Sequence, residues 1–244
     1  ETGTGGGGSA DAVKNYADAK IILDPFQATN NINSPHLITA TVTEDSGAGP
    51  VAAAGELVTF TLLSNTAGAT FVGGVDTCTT SGSGACSVSI NTAAPGSVEI
   101  HGSVEVGVAG LTLQRESDGT HGSSGDASKT YVAGRIIIEK QTLPDGSLES
   151  FIFTPSYATS SPTFSLTDGQ QNDSGWLATS TYSVVETVPT GCDETSAVCS
   201  DGSPASAIVL DAGETVTCVF TNTKRGSLTI VKDAQPNDLI DFAF

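Results

Sequence analysis

Five cysteines, three histidines and a large excess of carboxylates are the groups in this sequence able to do chemistry. Cys78 and Cys86 flank TTSGSGA, a hairpin-like stretch, so their side chains can meet across two strands. Closing so small a loop contributes roughly 2–3 kcal/mol in the chain-entropy treatment of a cross-link. The cysteine total is odd, which leaves at least one thiol without an intramolecular partner. Metal ligation is the weaker use of these groups, because no C-x-x-C occurs and His36, His101 and His121 fall in separate segments. Asp168-Gly169 and Asp201-Gly202 read as turn dipeptides, with no EF-hand spacing around them. Asp11, Asp18 and Asp24 sit near a linker and are the set that could converge on an interdomain calcium; no other cofactor is expected. The stretch from Gly3 to Gly8 spells G-x-G-x-x-G, but no strand precedes it and no helix clearly follows, so it reads as a Gly-rich linker. G-x-S-x-G, Walker A and H-E-x-x-H are all absent. Asn172 opens one N-glycosylation sequon, and Trp176 reads as a core or edge aromatic. No nucleophile–base or acid–base set emerges, so an enzyme acting on a substrate is the least favoured class.

The elements that must position these groups are strands. The low charged fraction, 15%, with 28 Gly and many Ser, Thr and Val, disfavours a helical protein. Strand-length runs recur at Ala19–Leu23, His36–Thr43, Glu56–Leu63, Cys86–Asn91, Ser97–His101, Arg135–Lys140, Phe151–Thr154, Thr181–Thr187, Ala207–Leu210, Thr215–Asn222 and Ser227–Lys232, bounded by turn-forming residues. No helical segments of useful length separate them, so the pattern predicts sandwiches or barrels and not βαβ units. Ala10–Ala19 lacks a full apolar stripe and reads as extended linker. The length of 244 residues suits two ordinary domains. With 9 Lys and Arg against 27 Asp and Glu, the basic footprint for nucleic acid is missing and an anionic membrane would repel the chain. No apolar run approaches the ~18 residues of a membrane helix. No signal peptide is present, and the absence of an initiating Met marks the chain as a mature or excised piece.

Internal repeats organise the rest. Residues 116–136 (ESDGTHGSSGDASKTYVAGRI) align without a gap on residues 1–21 (ETGTGGGGSADAVKNYADAKI), with Glu, Gly, Asp-Ala, Lys, Tyr and the final Ile coinciding. GRIIIEK at Gly134–Lys140 likewise matches GSLTIVK at Gly226–Lys232, and Pro144 matches Pro236. Residues 1–19 therefore read as the linker or tail of a preceding repeat, and 226–244 as the first strands of a following one. Two complete domains lie between, at 20–134 and 135–225.

In the first domain, ATNNINSPHLITATVTEDSG, ELVTFTLLSNTAGATFVGG and CTTSGSGACSVSI resemble the Big-1 Ig-like domains of invasin and intimin type. That resemblance implies an Ig-like β-sandwich used as a spacer or adhesive tip of a bacterial surface protein. The residues agree: Ile38, Ala40 and Val42 alternate with Thr39, Thr41 and Thr43, giving one apolar and one hydroxylated face.

In the second domain, IIIEKQTLPDGSLESFIFTP, TYSVVETVPTGC and TVTCVFTNTK resemble the Cna B-type, prealbumin-like domains of Gram-positive pilins and adhesins. The resemblance implies an intramolecular isopeptide bond between a first-strand Lys and a last-strand Asn, promoted by an acid on a central strand. By motif these are Lys140, Asn222 and Glu186. Burial lowers a lysine pKa toward the neutral, nucleophilic amine and raises a glutamate pKa toward the protonated acid. Taken singly, the same residues read as a solvated lysine, a turn asparagine and a surface charge. Lys232 repeats Lys140 but has no Asn partner within the chain. As in similar domains, Cys199 pairs with Cys218, leaving Cys192 as a buried small hydrophobe, a competing partner for Cys199 or an intermolecular link.

The sequence thus points to an all-β chain of two tandem antiparallel β-sandwiches, Ig-like then prealbumin-like, with fragments of flanking repeats. The expected function is an extracellular stalk or spacer module of a secreted or cell-surface repeat protein. Its partners are neighbouring repeats and other copies of itself, with no nucleic acid and no membrane insertion. Two alternatives stand beside it. One is a pilus-like filament subunit whose terminal strand, within 226–244, completes a neighbour's sheet. The other is an adhesin binding a host or carbohydrate ligand, for which 6% aromatic content offers little material.

Overall fold

A computed structural model describes residues 14, 16–158 and 162–231. Within these residues strands carry the regular structure, and the only helix is the short 3-10 turn Val72–Gly74. The chain divides into two compact units.

The first unit takes in the chain through Arg135 together with Ser174–Ser180 and Val209–Thr215. Its strands are β1 (Asp18–Asp24), β2 (Gln27–Asn31), β3 (His36–Asp45), β4 (Val51–Ala52), β5 (Leu57–Leu63), β6 (Thr70–Phe71), β7 (Thr77–Thr79), β8 (Ala85–Asn91), β9 (Gly96–Val108), β10 (Leu111–Glu116) and β11 (Ala127–Val132). One sheet has the order β1-β3-β8-β6 with β4 on β3; the other has the order β2-β11-β9-β5-β7 with β10 on β9. Period-two alternation makes each sheet one-sided. Ile38, Ala40 and Val42 of β3 join Phe60 of β5 and Ile100 of β9 in a single buried cluster, while Thr39 and Ser87 share a 2.8 Å hydroxyl hydrogen bond outside it. The sheets come so close at Gly102 of β9 that an added Cβ would stand 3.1 Å from the Leu23 side chain and 3.2 Å from Ile21. This is an Ig-like β-sandwich.

Two details differ from the sequence reading. The chain changes sheets at Pro25, so β2 joins the second sheet and runs parallel to β11, against the expected all-antiparallel pattern. Cys78 and Cys86 are disulfide-bonded, but not across a hairpin: β7 pairs with β5 and β8 with β3, so the bond staples one sheet to the other.

The second unit comprises Ile136–Asp173, Thr181–Ile208 and the chain from Val216. The strands of this half are β12 (Arg135–Leu143), β13 (Phe151–Pro155), β14 (Phe164–Leu166), β15 (Gln171–Asp173), β16 (Ser180–Tyr182), β17 (Val184–Thr187), β18 (Cys192–Cys199), β19 (Ile208–Leu210) and β20 (Thr215–Lys224). They form a four-stranded sheet β15-β12-β20-β18, a three-stranded sheet β14-β13-β17, and the pair β16-β19. Ile136, Ile138, Phe151, Phe153, Val216 and Phe220 are buried, with Phe153 stacked on Phe164 at 5.4 Å and edge-on to Phe220 at 5.2 Å. Cys199 and Cys218 face each other in register on β18 and β20 and form the second disulfide. The run expected as one strand over Thr181–Thr187 breaks at Ser183, because its two halves pair with different partners, β19 and β13. Ser227–Lys232 was expected as a strand, yet residues 227–231 carry no regular structure and no described strand pairs with them. Lys232 lies outside the described residues.

Candidate functional site

The alternation that buries the second unit's core also buries three polar side chains. On β12 the inward positions are Ile136, Ile138, Lys140 and Thr142; on β20 they are Val216, Cys218, Phe220 and Asn222. Lys140 and Asn222 therefore occupy core positions of neighbouring strands. Glu186 follows the same rule on β17, two residues after the buried Val184, and pairs in register with Phe153. Lys140 is 0% exposed, Asn222 1% and Glu186 9%, so the reading of a solvated lysine, a turn asparagine and a surface acid does not hold for any of them.

The structure brings the three together. Lys140 Nζ donates to Asn222 Oδ1 at 2.6 Å, to the Phe220 carbonyl at 3.0 Å and to the Gln141 carbonyl at 2.7 Å. Glu186 Oε1 lies 3.4 Å from the same nitrogen, and the Phe151 ring centroid lies 4.2 Å from it. Backbone hydrogen bonds hold Lys140 on both sides, its N–H to the Gln170 carbonyl at 3.0 Å and its carbonyl from the Gly169 N–H at 2.8 Å. Asn222 Nδ2 and both Glu186 carboxylate oxygens are buried without a hydrogen-bond partner. Buried polar atoms without a hydrogen bond are costly and call for a physical reason.

The electrostatics point the same way. Burial holds Lys140 below the ordinary lysine range, opposed by the charges of Glu186, Asp168 and Glu194. Burial raises Glu186 above the usual carboxylate range, against the lowering influence of Asn222 and Lys140. The environment thus pushes the amine toward neutrality and the acid toward protonation.

Cys192, the remaining thiol, is free and half-buried at the start of β18, more open than a core hydrophobe. With Thr142, Pro144, Phe151 and Asn222 it lines a cleft of about 170 Å³. The carboxylates considered for calcium do not gather. Asp18 and Asp24 stand at opposite ends of β1, Asp18 is ion-paired to Arg115 at 2.8 Å, and Asp11 lies outside the described residues. No group of three or more metal-type ligands exists among the described residues.

Two groupings were not foreseen. His101, Ser117 and Asp126 converge although their segments are separate in sequence. His101 Nδ1 lies 2.8 Å from Asp126 Oδ1, and Ser117 Oγ donates to that same oxygen at 2.7 Å while accepting the Gly102 N–H. The serine is 0% exposed and bonded to the acid, so this is a structural knot and not a nucleophile with its base. The second grouping is a fully buried Lys129 on β11, which contacts Asn30 on β2. Its alternation with Ala127 and Tyr131 in ASKTYV is the signal that marks it as inward.

Comparison with known proteins places the second domain. Residues 136–224 match the family model SpaA_4, described as a prealbumin-like fold domain. Among solved structures, a variant of BcpA, the major pilin subunit of Bacillus cereus, is similar at 13% identity, covering 86% of this chain and 71% of that one, with a TM-score of 0.47. The D0-D1 domain of intimin is similar at 18% identity over 86% of this chain and 100% of that one, TM-score 0.29. The shaft pilin SpaA of Lactobacillus rhamnosus GG follows at 12% identity, covering 88% and 100%, TM-score 0.22. No curated protein sequence matches the chain significantly.

Proposed function

We propose that this chain, with its prealbumin-like domain at residues 136–224, is an extracellular structural module of a stalk or pilus-like assembly whose second domain cross-links itself through a Lys140–Asn222 isopeptide bond. One observation carries the reading: a buried lysine nitrogen 2.6 Å from a buried carboxamide oxygen, with a buried acid 3.4 Å from that nitrogen. The neutral amine attacks Asn222 Cγ while protonated Glu186 polarises the carboxamide. The new N–C bond forms, a proton passes by way of Glu186 to Asn222 Nδ2, and the C–N bond breaks to release ammonia. The cleft that Asn222 lines gives the ammonia a way out. The reaction occurs once, on the chain itself, and turns over no substrate.

The mechanical consequence follows from topology. β12 and β20 are the first and last strands of the domain and lie side by side, so a bond between them carries tension directly from one to the other. Two disulfides support an oxidising, extracellular setting. No helix among the described residues is long and apolar enough to cross a membrane. Neighbouring repeats and other copies of the chain are the partners this role requires. A second reading, a subunit whose C-terminal segment completes a neighbour's sheet, is favoured by the exposed apolar residues Leu228, Ile230 and Val231 in a stretch without strand partners.

Single-molecule stretching tests the proposal. In the native chain the residues between Lys140 and Asn222 stay locked, whereas Lys140→Met releases the 82 residue steps of that span less the 19 that the Cys199–Cys218 disulfide keeps closed, about 210–230 Å of extra contour length. Equal extension of both proteins would refute the cross-link.

A further inference from the structure

The Ig-like unit also sets a buried lysine against a carboxamide, here a half-buried one, with the two residues exchanged between strands. β2 is the strand by which the chain enters the second sheet, β11 is the last strand of the unit, and the two are neighbours. In their parallel register Asn30 stands opposite Tyr131, and Lys129 opposite Ala28. Ala127, Lys129 and Tyr131 alternate inward, and Lys129 is 0% exposed. Its Nζ donates to Asn30 Oδ1 and lies 5.2 Å from the Tyr131 ring centroid. A lysine nitrogen sealed in an apolar sandwich with a carboxamide for a partner is the same chemical pair as in the second domain, again between an entering and a closing strand.

The facing sheet carries a buried imidazole that feels the charge of Lys129. Tyr131 crosses the sandwich to donate its hydroxyl to the Ile90 carbonyl at 3.0 Å, and Ile90 pairs in register with His36. His36 is buried, and its Nε2 has no hydrogen-bond partner. Burial chiefly, and the charge of Lys129 after it, holds His36 below the ordinary histidine range, so the imidazole is neutral and able to accept a proton. Burial alone lowers Lys129 to about 8, so a useful share of neutral amine exists near physiological pH.

We infer that Lys129 and Asn30 form a second intramolecular isopeptide bond, in the Ig-like domain, with buried His36 as the proton carrier where the prealbumin-like domain uses Glu186. Lys129 Nζ attacks Asn30 Cγ, and a proton from Nζ passes through His36 Nε2 to Asn30 Nδ2. The Cγ–Nδ2 bond breaks and ammonia leaves, with no oxidant or co-reactant required. Lys14 and Tyr16 occupy the places of Lys129 and Tyr131 in the aligned repeat, and Lys14 Nζ lies 4.7 Å from the Tyr16 ring centroid. The second bond would tie the last strand of the Ig-like domain to β2, the strand beside it that opens the second sheet. Both domains would then transmit tension without unravelling.

Mass spectrometry of the whole reduced chain, followed by a protease map, tests the inference independently of the Lys140–Asn222 bond. The native chain should fall short of its sequence mass by two ammonias, and the map should contain one branched peptide joining Lys129 to Asn30. Lys129→Met and Lys140→Met should each restore one ammonia, so each bond is scored separately. Asn30→Ala, which leaves the buried lysine in place, should restore the same ammonia as Lys129→Met. His36→Gln should leave a substantial fraction of chains uncross-linked at this site and the Lys140–Asn222 peptide intact. Linear peptides carrying Lys129 and Asn30 from the native chain would overturn the inference. Complete cross-linking in His36→Gln would overturn the role of the histidine.

Discussion

Replacing Lys140 with methionine separates the cross-link from the packing. Methionine keeps an unbranched apolar stem against Phe151 but has no amine to react. The bond would close a loop of 82 residue steps. In the chain-entropy treatment, removing such a closure frees the denatured chain by about 4.5 kcal/mol. The variant also leaves Glu186 and Asn222 buried without Lys140, and a buried group so stranded costs roughly 1–3 kcal/mol. For a domain of this size each kcal/mol moves Tm by about 4–8 °C, so the loop entropy alone lowers it by some 20–35 °C. Differential scanning calorimetry on the native chain and on Lys140→Met measures this in the transition belonging to the second domain. Asn222→Ala removes the same bond, so the double variant should be destabilised by far less than the sum of the two singles. A fall below about 5 °C, near 1 kcal/mol, would refute the reasoning, as would strictly additive effects.

Further expectations follow from the same structure. In Glu186→Gln the promoting acid is gone and Lys140 remains an unbonded amine whose folded-state pKa lies below its ordinary value. Its stabilising contribution is present above about pH 10.5 and is lost as pH falls through the lowered value, so in urea titrations this variant should lose stability relative to native as pH falls below about 10.5. The opposite slope would contradict the assignment. Cys86→Ser opens the sheet-to-sheet staple and should cost roughly 2–3 kcal/mol in chemical denaturation. Gly102→Leu forces a large side chain between the sheets against Leu23 and Ile21 and should cost about 1–3 kcal/mol or more, whereas Gly102→Ala meets only the movable ends of those side chains and should cost less. Under native, non-reducing conditions a maleimide should add one label, on Cys192, because the other four cysteines are disulfide-bonded.

Much of the architecture was legible because apolar alternation is strong where one face of a strand meets a core. Ile38-Ala40-Val42 and Ile136-Ile138 declare themselves in this way, and the same phase places Lys140 and Asn222 inward without any structure. Strands such as QATNN at β2 and CDETSAVC at β18 were missed, since they are held mainly by backbone pairing along polar sequence. The change of sheet at Pro25 was invisible for a related reason: nothing local says which of two sheets a polar strand will join. That is also why the Lys129–Asn30 pair went unread. Its lysine has inward phase, but its partner lies almost a hundred residues away on a strand without an apolar signature. Ser117 and Asp126 reach His101 only through the folding of β9 and the loop that follows β10. The run at Ser227–Lys232 shows the converse error, since strand propensity without a neighbour to pair with produced no strand in residues 227–231.

The most direct test of the central claim is the mass of the second domain's own cross-link. The reduced, denatured chain is digested, and the peptides containing Lys140 and Asn222 are sought. One branched peptide joining the two is expected, lighter than the sum of its linear parts by one ammonia and absent from Lys140→Met. Separate linear peptides carrying an intact Lys140 and an intact Asn222 would contradict it.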